Sequence, residues 1–257
     1  MQKPTMHTSG LLTDKSVKHG FFSRHGGISE GHYATLNCGP GSADTPVAIR
    51  EKRQRCKDAL GAKDLYTAYQ IHSDKAVFVT NKAESVIKAD AIVTNQPDFA
   101  IGIMTADCMP VMFHDPVAGL VGAAHAGWRG ALSGILENCI SLMREHGSEP
   151  LNIRACFGPC LRVGNFEVGL ELLDLFTEKH TDSARHFHPG QSDEKRQLDL
   201  VAFGCDRLLE AGLQSSHIDD LDLCTLEKPD DFFSYRQSRR LSLPDYGRNL
   251  SAISLTA

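Results

Sequence analysis

The chain has 257 residues, with 27 Lys and Arg against 32 Asp and Glu and a formal charge of −5. Hydrophobic residues make up 41% and charged residues 23%, a globular composition that excludes disorder over most of the length and needs neither disulfides nor a metal simply to hold a core. The mild acidity argues against a general nucleic-acid binder, since Arg236, Arg239 and Arg240 are the nearest thing to a basic stripe.

From Met1 to Gly20 the sequence is polar and has no apolar signal-peptide core. The longest apolar run, Val117 to Ala124, is far short of the ~20 residues of a membrane span. A cytoplasmic protein is therefore expected, with no membrane partner. In a reducing compartment most of the cysteines (Cys38, Cys56, Cys108, Cys139, Cys156, Cys160, Cys205 and Cys224) are expected to be buried free thiols or ligands.

Phe21–Ser29 reads as a strand running into a turn, where adjacent glycines permit close approach of a ligand. Asp44-Thr45-Pro46 starts a helix whose ragged apolar face, Val47, Ile49, Cys56 and Leu60, stops at Gly61. Strands are predicted at Leu65–Ile71, Ala76–Thr80, Asp90–Thr94, Ala100–Met104, Pro110–His114 and Gly119–Ala124. A helical pattern runs from Gly130 to Gly147 through Leu132, Ile135, Leu136, Cys139, Ile140 and Met143. Then come a strand at Leu151–Phe157, a helix at Phe166–His180, an exposed loop with a brief strand from Thr181 to Gln197, and a helix at Leu198–Ala211 closed by Gly212. Short strands near Leu221–Thr225, Phe232–Tyr235 and Leu250–Ile253 complete the chain. No repeat or linker divides it, so one domain over residues 1–257 is expected. Several strands in succession before the first long helix after Gly130 favour an α+β fold of mixed sheets with helices on their outer faces over a doubly wound parallel one. Neither G-x-G-x-x-G nor G-x-x-x-x-G-K-[ST] occurs, so those two nucleotide-binding loops are absent.

Polar, reactive residues interrupt apolar strands in three places: Tyr69-Gln70-Ile71-His72-Ser73, Met104 to Pro110, and Ala123 to Gly130. Strand ends commonly present side chains to a pocket, so His72, Cys108 and His125 can converge there. Two His and one Cys with a fourth position open suit a catalytic zinc, and also copper. Their separations of 36 and 17 residues match no compact metal motif. Two other readings stand beside this one: strand-capping imidazoles around an inert thiol, and a Cys108 nucleophile with His125 as its base. Asp107 is either a proton carrier or a turn-forming residue. Arg129, before a helix N-terminus, and Arg24, in the glycine turn, are either anion contacts or exposed surface charges. Cys156-Phe157-Gly158-Pro159-Cys160 is not a C-x-x-C motif, and packing thiols are expected there. His186-Phe187-His188 is the one H-x-H pair.

The phrases "GFFSRHGGIS", "YQIHS", "TADC", "AAHAGWRGAL", "FGPC", "CTLEKPDDFFSYR" and "GRNLSAI" occur in the order seen in the YfiH-type laccase-domain family, which the chain resembles from about Phe21 to its end. The family is also described as purine nucleoside phosphorylase, as peptidoglycan editing factor and formerly as polyphenol oxidase. The resemblance implies a single α+β domain, with mixed sheets packed together and helices outside, like the Cys–His hydrolases. It implies a zinc site at His72, Cys108 and His125. A mechanism consistent with that site expects Cys108, His125 and Asp107 to be catalytic and Arg24, Arg129 and Gln70 to contact substrate or phosphate. The implied chemistry is phosphorolysis of adenosine, inosine, guanosine and methylthioadenosine, with deamination of adenosine. The alternative is a cytoplasmic amidase that edits cell-wall precursors at the same centre. Too few histidines are paired for a multicopper oxidase, so copper is the lesser expectation. The expected partners are small molecules, acting on a monomer.

Overall fold

The computed structural model describes residues 3–81 and 86–257, so the first two residues of the N-terminal segment and of the expected domain, and positions 82–85, lie outside it. In chain order the strands and helices are β1 (Met6–His7), β2 (Val17–Phe22), α1 (Pro46–Leu60), β3 (Asp64–Tyr66), β4 (Ala76–Phe78), β5 (Ala91–Thr94), β6 (Phe99–Thr105), β7 (Met109–Asp115) and β8 (Leu120–Ala126). They continue with α2 (Trp128–Ser133), α3 (Ile135–Glu145), β9 (Arg154–Phe157), β10 (Glu167–Gly169), α4 (Leu170–Lys179), β11 (Phe187–Pro189) and β12 (Lys195–Leu198). Last come α5 (Leu200–Glu210), β13 (Ile218–Asp220), α6 (Tyr235–Arg240) and β14 (Asn249–Leu255).

The strands form a five-stranded sheet, β1-β2-β14-β6-β3, a six-stranded sheet, β13-β9-β7-β8-β5-β4, and a small one, β10-β12-β11. Both large sheets are mixed: β3 runs parallel to β6 and β4 parallel to β5, while β7 and β8 pair antiparallel. Successive side chains leave opposite faces of a strand, and here both faces are apolar. Ile101 and Ile103 of β6 and Ile253 of β14 point inward to meet Met112 of β7 and Val121 and Ala123 of β8 between the sheets. Their neighbours Ala100, Met104, Leu250 and Ala252 face outward under Cys56 and Leu60 of α1. On the other side Val111 and Phe113 pack with Leu136, Ile140 and Met143 of α3 and Phe203 of α5. The result is helix, sheet, sheet, helix in four layers, as expected. Each large side chain fully buried in these layers contributes about 1.5–3 kcal/mol.

Thr45 caps α1 by accepting the Ala48 N–H, Pro46 opens it and Gly61 ends it at φ 69°, as the composition of those turns dictates. Several boundaries differ from expectation. The helix after Gly130 is two helices, because Gly134 at φ 105° breaks it between α2 and α3. The first residues of Phe166–His180 pair with β12 as β10, since an edge was available to them. Phe232–Tyr235 is not a strand: the Ser234 hydroxyl accepts the Gln237 N–H and starts α6. Strand β13 lies at Ile218–Asp220, and Leu221–Thr225 contributes only a Cys160–Cys224 bridge. The charged Thr181–Gln197 segment folds as a 3-10 turn and a hairpin, with His186 buried against Asp206 at 2.7 Å while His188 is exposed. All eight cysteines are free. Among the described residues no helix is long and apolar enough to cross a membrane.

The N-terminal segment ties the two large sheets together. Ser9 donates its N–H to Nε2 of buried His19 in β2 at 2.8 Å and its hydroxyl to Asp219 in β13. Burial, followed by the charge of His114 and only partly opposed by Asp219, pushes the His19 imidazole down to about 4. The unfolded chain protonates this group near its ordinary 6.5, so stability is intact above that pH and drains as pH falls toward 4. The loss attributable to His19 is expected to reach about 3 kcal/mol. Urea melts of the protein and of His19→Gln between pH 7 and 4 check this: the variant should lose less stability over that window.

Candidate metal centre

Three segments distant in sequence meet where the chain changes sheets. Strand β6 belongs to the five-stranded sheet and β7 to the six-stranded one, so the turn Ala106-Asp107-Cys108 crosses between them. His125 lies near the end of β8, in register with Pro110 of β7. By the two-residue period it shares the inward face of Val121 and Ala123. His72 sits between β3 and β4 at φ 59°, and Asp107 at φ 86°, so two site residues hold left-handed backbone that costs of the order of 1–3 kcal/mol each.

The Cys108 sulfur and one ring nitrogen from each of His72 and His125 lie within 4.8 Å of one another. Cys108 Sγ is 3.9 Å from His72 Nε2, and the two imidazoles meet edge to face with centroids 4.7 Å apart. His125 is buried, Cys108 half-buried and His72 exposed, so the trio is open on one side. Gly127 lies against it: a Cβ there would stand 2.9 Å from Cys108 Sγ and 3.3 Å from the His72 ring. Gly127→Ala is therefore expected to displace both side chains and weaken metal binding while the remote sheets stay folded. Chelator-competition titration beside a melting curve checks this.

Asp90, one residue before β5, organises the centre and was not singled out from the sequence. Its carboxylate accepts the N–H groups of Ile71, His72 and Ser73, the Ser73 hydroxyl, and His125 Nδ1 at 2.8 Å. Burial alone would raise its pKa, but His125 and then Ser73 outweigh it and hold the carboxyl at about 2. The one available signal was an acid at the threshold of an apolar strand. Burial likewise pushes the Cys108 thiol up, and the charge and hydrogen bond of His125, then His72, reverse this to about 6. For His125, burial lowers the pKa, and the Cys108 charge with the Asp90 hydrogen bond raises it to about 9. The pair thus favours a thiolate, the form in which sulfur binds metals. One thiolate, two imidazoles and a carboxylate behind one of them fit a zinc ion with an open position; copper accepts the same donors.

The trio lies at the junction of two clefts. The first, about 270 Å³, is lined by all three residues together with Gln70, Met104, Thr105, Tyr246 and Arg248. The second, about 240 Å³, adjoins His72 and Cys108 and is walled by Asp107, Trp128, Arg129, Phe166, Tyr235 and Arg236. Arg129 is exposed there and stacks on Trp128. Gln70 borders the first cleft, but its amide is engaged at both ends with the Met104 backbone at 2.7 Å, fastening the His72 segment to β6. Asp107 accepts the Thr225 hydroxyl and the Arg236 N–H, each at 2.6 Å, and burial pushes its pKa up. Arg24 lines neither of these two clefts. It lines a third cleft of about 450 Å³, and its guanidinium donates to the Ala34 and Pro229 carbonyls. Tyr235, Tyr246 and Arg248 reach the clefts from the C-terminal segment, where no spacing relative to the trio marked them.

Residues 18–256 match the family model described as multi-copper polyphenol oxidoreductase laccase. A Bacteroides thetaiotaomicron protein named purine nucleoside phosphorylase is 30% identical, covering 95% of this chain and 94% of its own. The Escherichia coli protein named purine nucleoside phosphorylase YfiH is 33% identical over 84% of this chain and 87% of its own. Among solved structures, a Neisseria meningitidis protein is 32% identical and superposes over 100% of both chains with a TM-score of 0.89. YlmD from Geobacillus stearothermophilus is 26% identical, with a TM-score of 0.86 over 100% of this chain and 97% of its own. The fold, the open His–Cys–His group and these matches agree: the chain belongs to the YfiH-type laccase-domain family, whose curated relatives are named purine nucleoside phosphorylases.

Proposed function

We propose that this protein is a zinc-dependent purine nucleoside phosphorylase acting on adenosine, inosine, guanosine and methylthioadenosine, and that the same centre deaminates adenosine. The observation that carries the reading is the trio His72, Cys108 and His125, open between two clefts in a chain whose relatives bear that name. In phosphorolysis a phosphate oxygen bonds to ribose C1′ as the C1′–N9 bond breaks. The purine leaves with the electron pair and takes a proton, giving free base and ribose 1-phosphate. Deamination adds water at C6 and releases ammonia.

His72, Cys108 and His125 would hold a zinc ion, which would supply Lewis-acid chemistry there. The chain's own residues do the positioning. Asp90 accepts the His125 Nδ1–H and so turns Nε2 toward the centre, while its remaining bonds hold the His72 backbone in place. Asp107, with both oxygens engaged, holds the turn that carries Cys108. Trp128, Phe166 and Tyr235 offer flat apolar surface to a purine and exclude water from one side. These roles belong to one domain, residues 1–257, working as a cytoplasmic monomer with no nucleic-acid partner.

The test is product analysis of zinc-loaded protein with adenosine, with and without phosphate. Adenine appearing only with phosphate supports phosphorolysis, and inosine without phosphate supports deamination. No product under either condition refutes the nucleoside reading. A second reading has its own support: the order Cys108, His125, Asp90 is that of a thiol nucleophile, its base and an orienting carboxylate. It would serve an amidase that edits cell-wall precursors. Inactivation by alkylation but not by a chelator favours it over the zinc reading.

A further inference from the structure

The arginines around the clefts divide into committed and uncommitted groups. Arg24 gives Nε and Nη1 to two carbonyls at 2.7 Å each, and Arg236 gives Nη1 to the carbonyls of Asn165 and Glu167. Arg129 and Arg248 form no ion pair with a carboxylate among the described residues, and each stands in a different cleft. Arg248 shares the first cleft with all three members of the trio. Its guanidinium stacks on Tyr246, 4.4 Å from the ring centroid, and its one hydrogen bond among the described residues, to the Tyr246 carbonyl, is long at 3.4 Å. Its stem packs so closely on Gly39 that a Cβ there would come within 2.5 Å of Cδ. Its backbone is clamped as well: its N–H goes to Asn37 Oδ1 at 2.9 Å, and its carbonyl accepts the Cys38 N–H at 3.1 Å. A guanidinium so positioned, with most of its donor edge uncommitted, is suited to a tetrahedral oxyanion. The second cleft is more aromatic, through Trp128, Phe166 and Tyr235, and suits a purine ring.

Resting on the phosphorylase reading, we infer that Arg248 is the phosphate-binding residue, with phosphate in the first cleft and the purine in the second. Ribose C1′ then lies between them, beside the trio. Arg248 takes the part that the sequence suggested for Arg24, and Arg129 faces the nucleoside.

Steady-state kinetics of Arg248→Gln, Arg248→Lys and Arg129→Gln test the assignment, with zinc content and melting curves confirming that each variant is folded and loaded. Loss of a charge-assisted bond predicts that Arg248→Gln raises the KM for phosphate about 10- to 100-fold and leaves that for the nucleoside within about twofold. Arg248→Lys should recover part of the loss, because charge but not the planar fork is restored. A phosphate KM unchanged in Arg248→Gln, or raised instead in Arg129→Gln, overturns the inference. If the wild-type protein cleaves no nucleoside, the phosphorylase reading fails separately. Calorimetric titration with inorganic phosphate then still decides the subsite: binding that is absent from the wild type or undiminished in Arg248→Gln overturns it.

Discussion

Replacing Cys108 by alanine is expected to remove the bound metal and lower the phosphorolysis rate by about a thousandfold. Two imidazoles alone are a poor site for zinc, and losing a Lewis acid that stabilises several kcal/mol of developing charge is worth about that factor. Cys108 lies in a turn outside the three principal apolar clusters, so the fold should survive and the melting temperature should move little. Metal analysis by mass spectrometry, with product assays, makes the measurement. Alone it does not separate a ligand from a nucleophile, because both roles end with the sulfur. His72→Ala separates them: it removes a ligand but spares the Cys108–His125–Asp90 line. Equal loss of metal and activity in both variants supports the metal centre. Retained activity in His72→Ala would refute it and favour the thiol nucleophile.

Asp90→Asn is expected to reduce metal affinity or turnover by about 10- to 100-fold, the usual effect of removing a carboxylate behind a ligating imidazole. The cause is local. With Asp90 ionised, His125 keeps its proton on Nδ1 and presents Nε2 to the centre. An amide there can turn only one oxygen toward donors, while its NH2 faces N–H groups that need an acceptor. Asp90 also accepts three backbone N–H groups from 71–73, so the His72 loop should loosen and stability fall by about 1–3 kcal/mol. Zinc affinity by chelator competition and a melting curve read the two effects apart. Unchanged affinity and turnover would exclude the positioning role.

Much of the fold was legible because its cause is periodic or local. Continuous apolar runs such as Ala100–Met104 and Pro110–His114 announced strands buried on both faces, and the structure extends each by a residue or two. The Thr45-Pro46 start and Gly61 stop of α1 are short-range effects and fall where composition places them. Errors arose where tertiary pairing overruled local pattern. Glu167–Gly169 looked helical but had β12 to pair with, and Ser234 looked like part of a strand but had the Gln237 N–H to cap.

The centre divides along the same line. Sequence by itself determined the chemical inventory: a thiol and two imidazoles at strand ends, and motif blocks specific enough to place the family. Tertiary structure alone decided which groups meet. Packing of the two sheets and the antiparallel pairing of β7 with β8 close gaps of 36 and 17 residues to within 4.8 Å. Antiparallel pairing of β5 with β8 brings Asp90 behind His125, while Arg24 lines a different cleft and Arg248 lies beside the trio. Hydrophobic periodicity acts over a few residues and can be read along the chain. Ligand convergence and hydrogen-bond partners depend on sheet order and register, which are settled only when the two sheets pack.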